Sequence, residues 1–384
     1  MGHDAPDRHR PKDIIVIDFR YHLVSLISVF MALAVGIALG AGPLKEAIGD
    51  TLTGQVDVLR AEKDALREEL NTATADLRTA ETAFAATAPG LLDGILAERR
   101  VAIVEVSDVE PEVLAQVVER LGQAGASVTA TVQVTEEWTD PDRKAYRQSL
   151  AGTLVDYLDP TPEADAGVGT ELAEALTQAL TTPVPTDPDA LSVDAGVVLD
   201  LLSESGLIVL GGDVTVPADA VVILAGPTVS VEEVVAETEA QPSVAPEAAA
   251  AAAALVDAQV TAGMQIATAA QARSNGAIVA GGELIDPSLV LRLRQDESAA
   301  TRISTVESVN TLTGQVSVPM ALSARLGGTV GHFGPSDGAT APMPPHIVLP
   351  PVERIPQVVD PGVPGDGTAV PGTDPTASPE TEQG

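Results

Sequence analysis

The chain has 384 residues, no cysteine and a formal net charge of −34, with 21 basic against 55 acidic side chains. A surface this acidic repels the phosphate backbone of nucleic acids, so we expect no nucleic-acid partner. Without cysteine the chain forms no disulfide and offers no thiolate to a metal.

The first predicted element is a membrane anchor over residues 21–44, which contain no Asp, Glu, Lys or Arg. At about 1.5 Å per helical residue, this length crosses a hydrocarbon core of roughly 30 Å. Four basic residues lie in residues 1–20, whereas Lys45 alone closely follows the apolar stretch. The positive-inside rule therefore predicts a cytoplasmic stub at 1–20 and an extracytoplasmic bulk, in a single-pass protein of the cell membrane. A cleaved signal peptide is the alternative, with a small-residue site at Ala38–Gly40, but its apolar region is usually shorter, at roughly 7–15 residues.

Small residues recur along one face of this anchor. They are spaced by four and comprise Ser28, Ala32, Gly36 and Gly40. This spacing lets two helix backbones approach closely, as in small-xxx-small dimers, and indicates pairing within the membrane. The alternative is that glycine and alanine are simply common in membrane helices.

A coiled coil is predicted over residues 50–88. Apolar residues recur there every seven positions, in two series offset by four, which is the a/d pattern of a left-handed coiled coil. The predicted seam consists of Leu52, Val56, Leu59, Lys63, Leu66, Leu70, Leu77 and Phe84. A lysine at a core position weakens the pairing and fixes its register. The alternative is an amphipathic helix that packs on its own domain; we favour self-association as a homodimer, with a trimer left open.

An α/β domain is predicted over residues 98–334, where strands that are apolar throughout alternate with helices. Such strands are typical of a parallel sheet covered on both faces, so we expect a Rossmann-like or flavodoxin-like fold. The predicted strands are Val101–Val106, Ser127–Val134, Ala220–Gly226, Ala277–Gly282 and Arg302–Val309. The predicted helices are Glu110–Gly122, Asp142–Leu158, Glu171–Leu180, Asp189–Glu204, Glu247–Ser274, Pro287–Gln295 and Gly314–Leu326.

The last predicted segment is a tail over residues 335–384, which holds 12 of the 29 prolines and shows little periodicity. Proline-, glycine- and aspartate-rich sequence of this kind buries little apolar surface, so a disordered, partly extended tail is expected.

Sequence motifs for catalysis are missing from the chain. The first predicted strand is followed by Ser107–Glu110 rather than a glycine-rich turn, and acidic residues there repel a pyrophosphate. No P-loop, G-x-S-x-G or H-E-x-x-H motif occurs. We therefore expect no enzymatic activity and no cofactor, although an α/β enzyme with an unrecognised ligand stays open.

Three residues of a type that binds copper lie within 15 positions of each other: His332, Met343 and His346. Imidazole and thioether groups suit copper, which makes these residues a weak candidate metal site. The alternative is three scattered residues in a loop.

Two stretches carry a family resemblance. DFRYHLVSLISVFMALAVGIALGAG (Asp18–Gly42) and ISTVESVNTLTGQVSVPMALSARLGGTVGHFG (Ile303–Gly334) resemble the N-terminal and C-terminal blocks of the mycobacterial copper-transport protein B (MctB) family of actinobacterial envelope proteins. The order of anchor, coiled coil and α/β domain also fits. The resemblance implies a role in copper homeostasis or efflux, with copper as a possible ligand. It also implies an association with cell separation, through coiled-coil pairing with another envelope protein.

Three functions follow from these observations. The first is a self-associating envelope protein of copper homeostasis, as the resemblance implies. The second is a non-catalytic coiled-coil adaptor that joins the membrane to cell-separation or wall-remodelling machinery. The third is an α/β enzyme. One membrane span per chain forms no pore without oligomerising, and the exported part has few Met or His, so the residues favour a tethered, dimeric scaffold over a copper channel.

Overall fold

The structure is a computed structural model that describes residues 19–41, 43–163, 165–226 and 245–356. The chain divides into two compact units, residues 1–82 and 83–384. The predicted cytoplasmic stub at 1–20 lies almost wholly outside the described residues. The same holds for the last part of the predicted tail, residues 357–384.

Two long helices dominate the first unit: α1 (Phe19–Ala41) and α2 (Pro43–Leu92), which continues into the second unit. Phe19–Gly40 of α1 is, within the described ranges, the one helical stretch long and apolar enough to cross a membrane, and none of it is buried. The helix predicted as an anchor is therefore present, and it begins two residues before the predicted start at residue 21.

The helix extends beyond the predicted coiled coil of residues 50–88, because α2 runs through Pro89 and Gly90 to Leu92. Proline inside a helix removes one backbone hydrogen bond and costs about 3 kcal/mol. Ala88 and Leu92 flank the proline and are fully buried in the second unit. Burial of these side chains offsets the lost bond and holds the last helical turn in place.

A seven-stranded sheet forms the centre of the second unit, in the order β5-β2-β1-β6-β7-β8-β9. Its neighbours pair in parallel, except that β5 is antiparallel to β2. A separate antiparallel pair is made by β3 and β4. The strands are β1 (Arg100–Glu105), β2 (Ser127–Val134), β3 (Pro183–Val184), β4 (Asp187–Leu191), β5 (Ile208–Leu210), β6 (Ala220–Leu224), β7 (Ala277–Ala280), β8 (Ser304–Val306) and β9 (His332–Phe333). The predicted parallel sheet is confirmed, and β3, β4, β5 and β9 were missed.

Helices cover both faces of this sheet. They are α3 (Pro111–Gln123), α4 (Lys144–Leu154), α5 (Val168–Thr181), α6 (Val193–Glu204), α7 (Ala245–Arg273), α8 (Leu289–Gln295), α9 (Glu297–Ala300) and α10 (Leu312–Leu326). One core lies under α4–α8, with Leu176 and Ile266 fully buried. The other lies under α3, α10 and the end of α2, with Val117 and Leu322 fully buried. The covered sheet explains why its central strands are apolar throughout.

One predicted helix begins later than expected. The sequence indicated a helix over Asp189–Glu204, but residues 187–191 form β4, and α6 starts at Val193. Ser192 marks this start, since its hydroxyl accepts a hydrogen bond from the backbone N–H of Ala195 at 3.1 Å. A serine N-cap satisfies one of the free amides of the first turn and so fixes where a helix begins.

A C-terminal strap, defined as residues 335–356, lies against the second core. The hydroxyl of Ser323 donates to the carbonyl of Ile347 at 2.7 Å, and Arg99 donates to the carbonyl of Pro350 at 2.8 Å. Met343 and Leu349 pack on the core. The prediction of a disordered tail is thus wrong for residues 335–356, where apolar side chains between the prolines supply enough buried surface to order the chain.

The strap predicts a difference between two truncations. A chain that ends at residue 356 keeps the strap and serves as the reference. Removal of residues 335–384 is expected to cost about 2 kcal/mol, since Met343 and Leu349 lose their packing. Trp138, the single tryptophan, is 4% exposed and reports unfolding by fluorescence. Equal midpoints for the two truncated chains would contradict the role of the strap.

Candidate functional site

The small-residue face of α1 is open in the structure. A Cβ built at Gly36 or Gly40 meets nothing within 4 Å. The hydroxyl of Ser28 donates to the carbonyl of Val24 at 2.7 Å, so its hydrogen bond is satisfied within the helix. The face with Ala32 is therefore smooth and accessible, which is the geometry that close helix pairing requires. Pairing itself stays a prediction.

Most of the predicted coiled-coil seam is exposed on α2. Leu59, Leu66 and Leu70 are 62%, 65% and 66% exposed. The other exposed members of the seam are Leu52, Val56, Lys63 and Leu77. Exposed leucines on one helical stripe are unfavourable in water. The coiled coil that would cover them stays a prediction.

Phe84 does not belong to this exposed seam. It packs, with Ala88 and Leu92, against the core beneath α3 and α10. The three residues follow at intervals of four and so share one face of α2. For this end of the helix the alternative interpretation is right, since α2 packs on its own domain. The prediction that Phe84 lies in an intermolecular seam is corrected accordingly.

A buried ion pair organises the C-terminal block that carries the family resemblance. Arg294 Nη1 lies 3.2 Å from Glu307 Oε2, and the two side chains are 9% and 1% exposed. Glu307 Oε1 also accepts from the backbone N–H of Ser336 at 2.6 Å. Arg294 donates to Thr305 Oγ1 at 2.9 Å and to the carbonyl of Phe333 at 3.1 Å. The pair thus joins α8, β8, β9 and the start of the strap.

His332 is attached to this ion pair through Thr305, whose Oγ1 lies 2.9 Å from His332 Nδ1. Thr305 Oγ1 accepts from Arg294 and shares a second hydrogen bond with Nδ1, whose direction depends on the tautomer of the ring. Burial lowers the pKa of His332, and the charge of Arg294 lowers it further. One ring nitrogen is therefore occupied, which removes it as a metal ligand.

The three residues of the weak metal site have different surroundings. His332 is half-buried, Met343 packs against the core beneath α10, and His346 is exposed. Across the described ranges, no group of three or more His, Cys, Asp or Glu is arranged to hold a metal ion. A copper site at these three residues stays a prediction, and no contact among them supports it.

The loops after β1 and β6 meet at Gly226, between cavities of about 190 Å³ and 340 Å³ at the carboxyl ends of the strands, where an open α/β sheet commonly binds its ligand. A Cβ at Gly226 would lie 1.7 Å from the carbonyl oxygen of Asp108. The amide of Gly226 also donates to Ser107 Oγ at 2.8 Å. The loops that follow the two strands therefore touch each other, and only glycine fits at this position.

Glu105, at the end of β1, is a buried acid that the sequence analysis missed. Its side chain is 7% exposed, and burial, with the charge of Asp108, raises its pKa. Glu307 was missed in the same way. Each acid lies near the carboxyl end of a predicted strand, in VAIVEV and in STVES, and that placement is the signal that could have found both.

The raised pKa of Glu105 predicts a pH-dependent effect. A group whose folded pKa exceeds its unfolded value stabilises the fold below the unfolded value, here 4.5, and that contribution is lost as the pH rises through the folded pKa. Glu105→Gln removes the buried charge. We expect a higher thermal midpoint than wild type at pH 7.5, with a difference that shrinks toward pH 4.5. Glu110→Gln, which changes an exposed carboxylate, controls for net charge; an equal gain there would contradict the assignment.

A family model described as copper transport outer membrane protein, MctB, matches residues 16–344. The chain belongs to the MctB family. The copper transporter MctB of Mycobacterium tuberculosis and that of Mycobacterium bovis are each 28% identical over 336 residues, which cover 84% of this chain and 98% of the relative. The copper transporter MctB of Mycobacterium leprae is 27% identical over 344 residues, covering 85% and 98%.

The MctB match spans both units of the structure. It includes α1, α2, the whole sheet and the Arg294–Glu307 pair, and it ends inside the strap at residue 344. The family resemblance inferred from Asp18–Gly42 and Ile303–Gly334 is thereby confirmed. The family description and the apolar helix α1 together support membrane or envelope association.

Proposed function

We propose that the chain is a single-pass, self-associating cell-envelope protein that acts in copper homeostasis. The exposed leucine stripe on α2 supports self-association, and the relatives named copper transporter support the copper role. In this proposal the N-terminus is cytoplasmic and the second unit is extracytoplasmic. The membrane and a second copy of the chain are its partners.

The proposed pairing is parallel. Two copies anchored by α1 in the same membrane carry their α2 helices in the same direction. Leu59, Leu66 and Leu70 then face their own counterparts, and Lys63 at an a position sets the register at some cost in stability. The open face of Gly36 and Gly40 in α1 provides a second contact inside the bilayer.

The copper role in this proposal depends on assembly rather than on a resident cofactor. His332 is engaged by Thr305, and Met343 packs against its own core, so the candidate ligands are largely committed to the fold. His346 is exposed and is the member of the set that remains available to copper. Copper would be cargo or signal, and the scaffold would act through its partners.

Complementation tests the copper role. Deletion of the gene is expected to change copper tolerance, and the wild-type chain is expected to restore it. A chain with Leu59→Asp and Leu66→Asp should fail to restore tolerance although it is inserted in the membrane. Unchanged tolerance on deletion would reject the copper role, and full restoration by the double variant would reject its dependence on pairing.

A second candidate is a non-catalytic adaptor of cell separation or wall remodelling. The exposed leucine stripe on α2 suits a helix of another envelope protein equally well as it suits α2 of a second copy of the chain. Capture of a wall-hydrolase or membrane partner by the wild-type chain, lost on Leu59→Asp and Leu66→Asp, would support this candidate. Capture unaffected by the substitutions would contradict it.

A further inference from the structure

A cavity of about 290 Å³ lies between α4, α5 and α7, away from the Arg294–Glu307 pair. Its lining is mainly apolar and includes Trp138, Leu172 and Ala258. Lys144 and Arg147 of α4 stand at the same cavity. Its volume is close to the roughly 300 Å³ at which small-molecule sites begin, and an apolar wall with a few charged groups is typical of such sites.

Arg147 is held by carbonyl groups rather than by a carboxylate. Its Nη1 donates to the backbone oxygens of Glu137 at 2.9 Å and of Asp140 at 2.6 Å. The nearby carboxylates have other partners. Glu137 pairs with Arg143 at 2.9 Å, and the side chain of Asp140 accepts from the amide of Asp142 at 2.8 Å. The guanidinium therefore keeps its positive charge without a direct counter-ion.

Two other half-buried arginines have a carboxylate partner instead. Arg273 pairs with Glu174 at 2.5 Å, and Arg294 pairs with Glu307 at 3.2 Å. Neither Lys144 nor Arg147 forms a salt bridge within the described ranges. Burial lowers the pKa of Arg147, with the charges of Asp140 and Glu137 acting in the opposite sense. An anion in the cavity would relieve this unmatched charge.

A larger cavity of about 490 Å³ lies at the opposite, amino-terminal edge of the sheet, and it is the less suitable site. Arg100, Arg273 and Arg354 line it, but each of the three already faces a carboxylate. Its cations are therefore paired, whereas Arg147, which is half-buried, and Lys144, which is exposed, form no salt bridge within the described ranges. The two cavities therefore differ in whether their lining cations form salt bridges, and this difference matters more for anion binding than the difference in volume.

We propose that the cavity between α4, α5 and α7 binds a small monocarboxylate with an apolar body. The carboxylate lies between Lys144 and Arg147, and the apolar body lies against Trp138 and Leu172. Charge-assisted hydrogen bonds fix the head, and burial of the body adds affinity. The chain as a whole repels anions through its net charge of −34, so the site depends on these two cations.

The experiment uses Trp138, the single tryptophan, as a reporter inside the site. The full-length chain in nanodiscs of uncharged phospholipid is titrated with cyclohexanecarboxylate and, in parallel, with the neutral isostere cyclohexanecarboxamide. We expect a saturable fluorescence change with the acid and at least tenfold weaker binding of the amide. Lys144→Met and Arg147→Met should each weaken binding of the acid by about tenfold.

Two further variants keep the proposal falsifiable if Arg147→Met loosens the turn that it holds. Ala258→Phe fills the cavity without touching the cations and should abolish the fluorescence change. Arg302→Met removes an exposed cation elsewhere and should leave binding unchanged. Equal affinities for acid and amide, full binding by Ala258→Phe, or no saturable change with the wild-type chain would each overturn the proposal.

Discussion

Replacement of Leu59 and Leu66 by aspartate is expected to abolish self-association of the chain in membranes. The two leucines are 62% and 65% exposed, and a parallel pair would bury four of them. Each buried leucine contributes about 2 kcal/mol, and an unpaired aspartate in the seam adds a further cost. Because the chain has no cysteine, Leu70→Cys gives one defined crosslinking site. The crosslinked fraction in membranes should fall at least tenfold.

Val58 supplies the matched control for this experiment. It is 58% exposed and adjacent to Leu59, but it lies at a c position on the outer face of the predicted coil. Val58→Asp therefore introduces the same charge on the same helix without entering the seam, and crosslinking should be unchanged. A loss of crosslinking with Val58→Asp equal to that of the double variant would contradict a specific seam. So would full crosslinking by the double variant.

The periodicity of α2 shows why the sequence predicted this surface only in part. Heptad spacing identifies which face of a helix is apolar, and it continues without a break from Leu77 to Phe84. It does not identify what covers that face. From Phe84 onward the α/β domain of the same chain covers it, whereas Leu77 is 59% exposed. The two situations differ in tertiary packing, which a local pattern does not contain.

The sequence predicted those strands of the sheet that are buried on both faces. In β6 and β7 every residue is buried, and a continuous run of apolar, largely β-branched residues marks such a strand. The edge strands β5 and β9 have three and two residues and mixed exposure. Segments this short carry no period of their own, so their strand geometry depends on pairing with β2 and β8.

The Arg294–Glu307 pair could not be predicted from the sequence either, because it too depends on tertiary packing. The partners lie 13 residues apart, on α8 and after β8, and the backbone groups of Phe333 in β9 and Ser336 in the strap complete their hydrogen bonds. Gly334 makes this approach possible, since a Cβ there would lie 1.9 Å from Glu307 Cγ. The sequence shows an acid after an apolar strand, and its partner appears only in the fold.

Arg294→Met is expected to destabilise the α/β domain by about 3–5 kcal/mol, because it leaves the carboxylate of Glu307 buried without a partner. Glu307 is 1% exposed, so water does not replace the lost guanidinium. For a domain of this size the change corresponds to a fall of about 10 °C in the thermal midpoint. Fluorescence of Trp138 in the full-length chain measures this midpoint.

A double variant separates the cost of the unpaired buried charge from the contribution of the hydrogen bonds that the two side chains make. Arg294→Met combined with Glu307→Leu removes both charges, and a buried pair replaced by apolar side chains often recovers stability. We therefore expect the double variant to be more stable than Arg294→Met alone. Arg302→Met, at an exposed arginine nearby in sequence, should change the midpoint by less than about 1 °C. If Arg294→Met behaved like Arg302→Met, the pair would not hold β9 and the strap to the sheet. A double variant as unstable as the sum of its single changes would instead assign the stability to the hydrogen bonds of Glu307 with Ser336 and of Arg294 with Phe333.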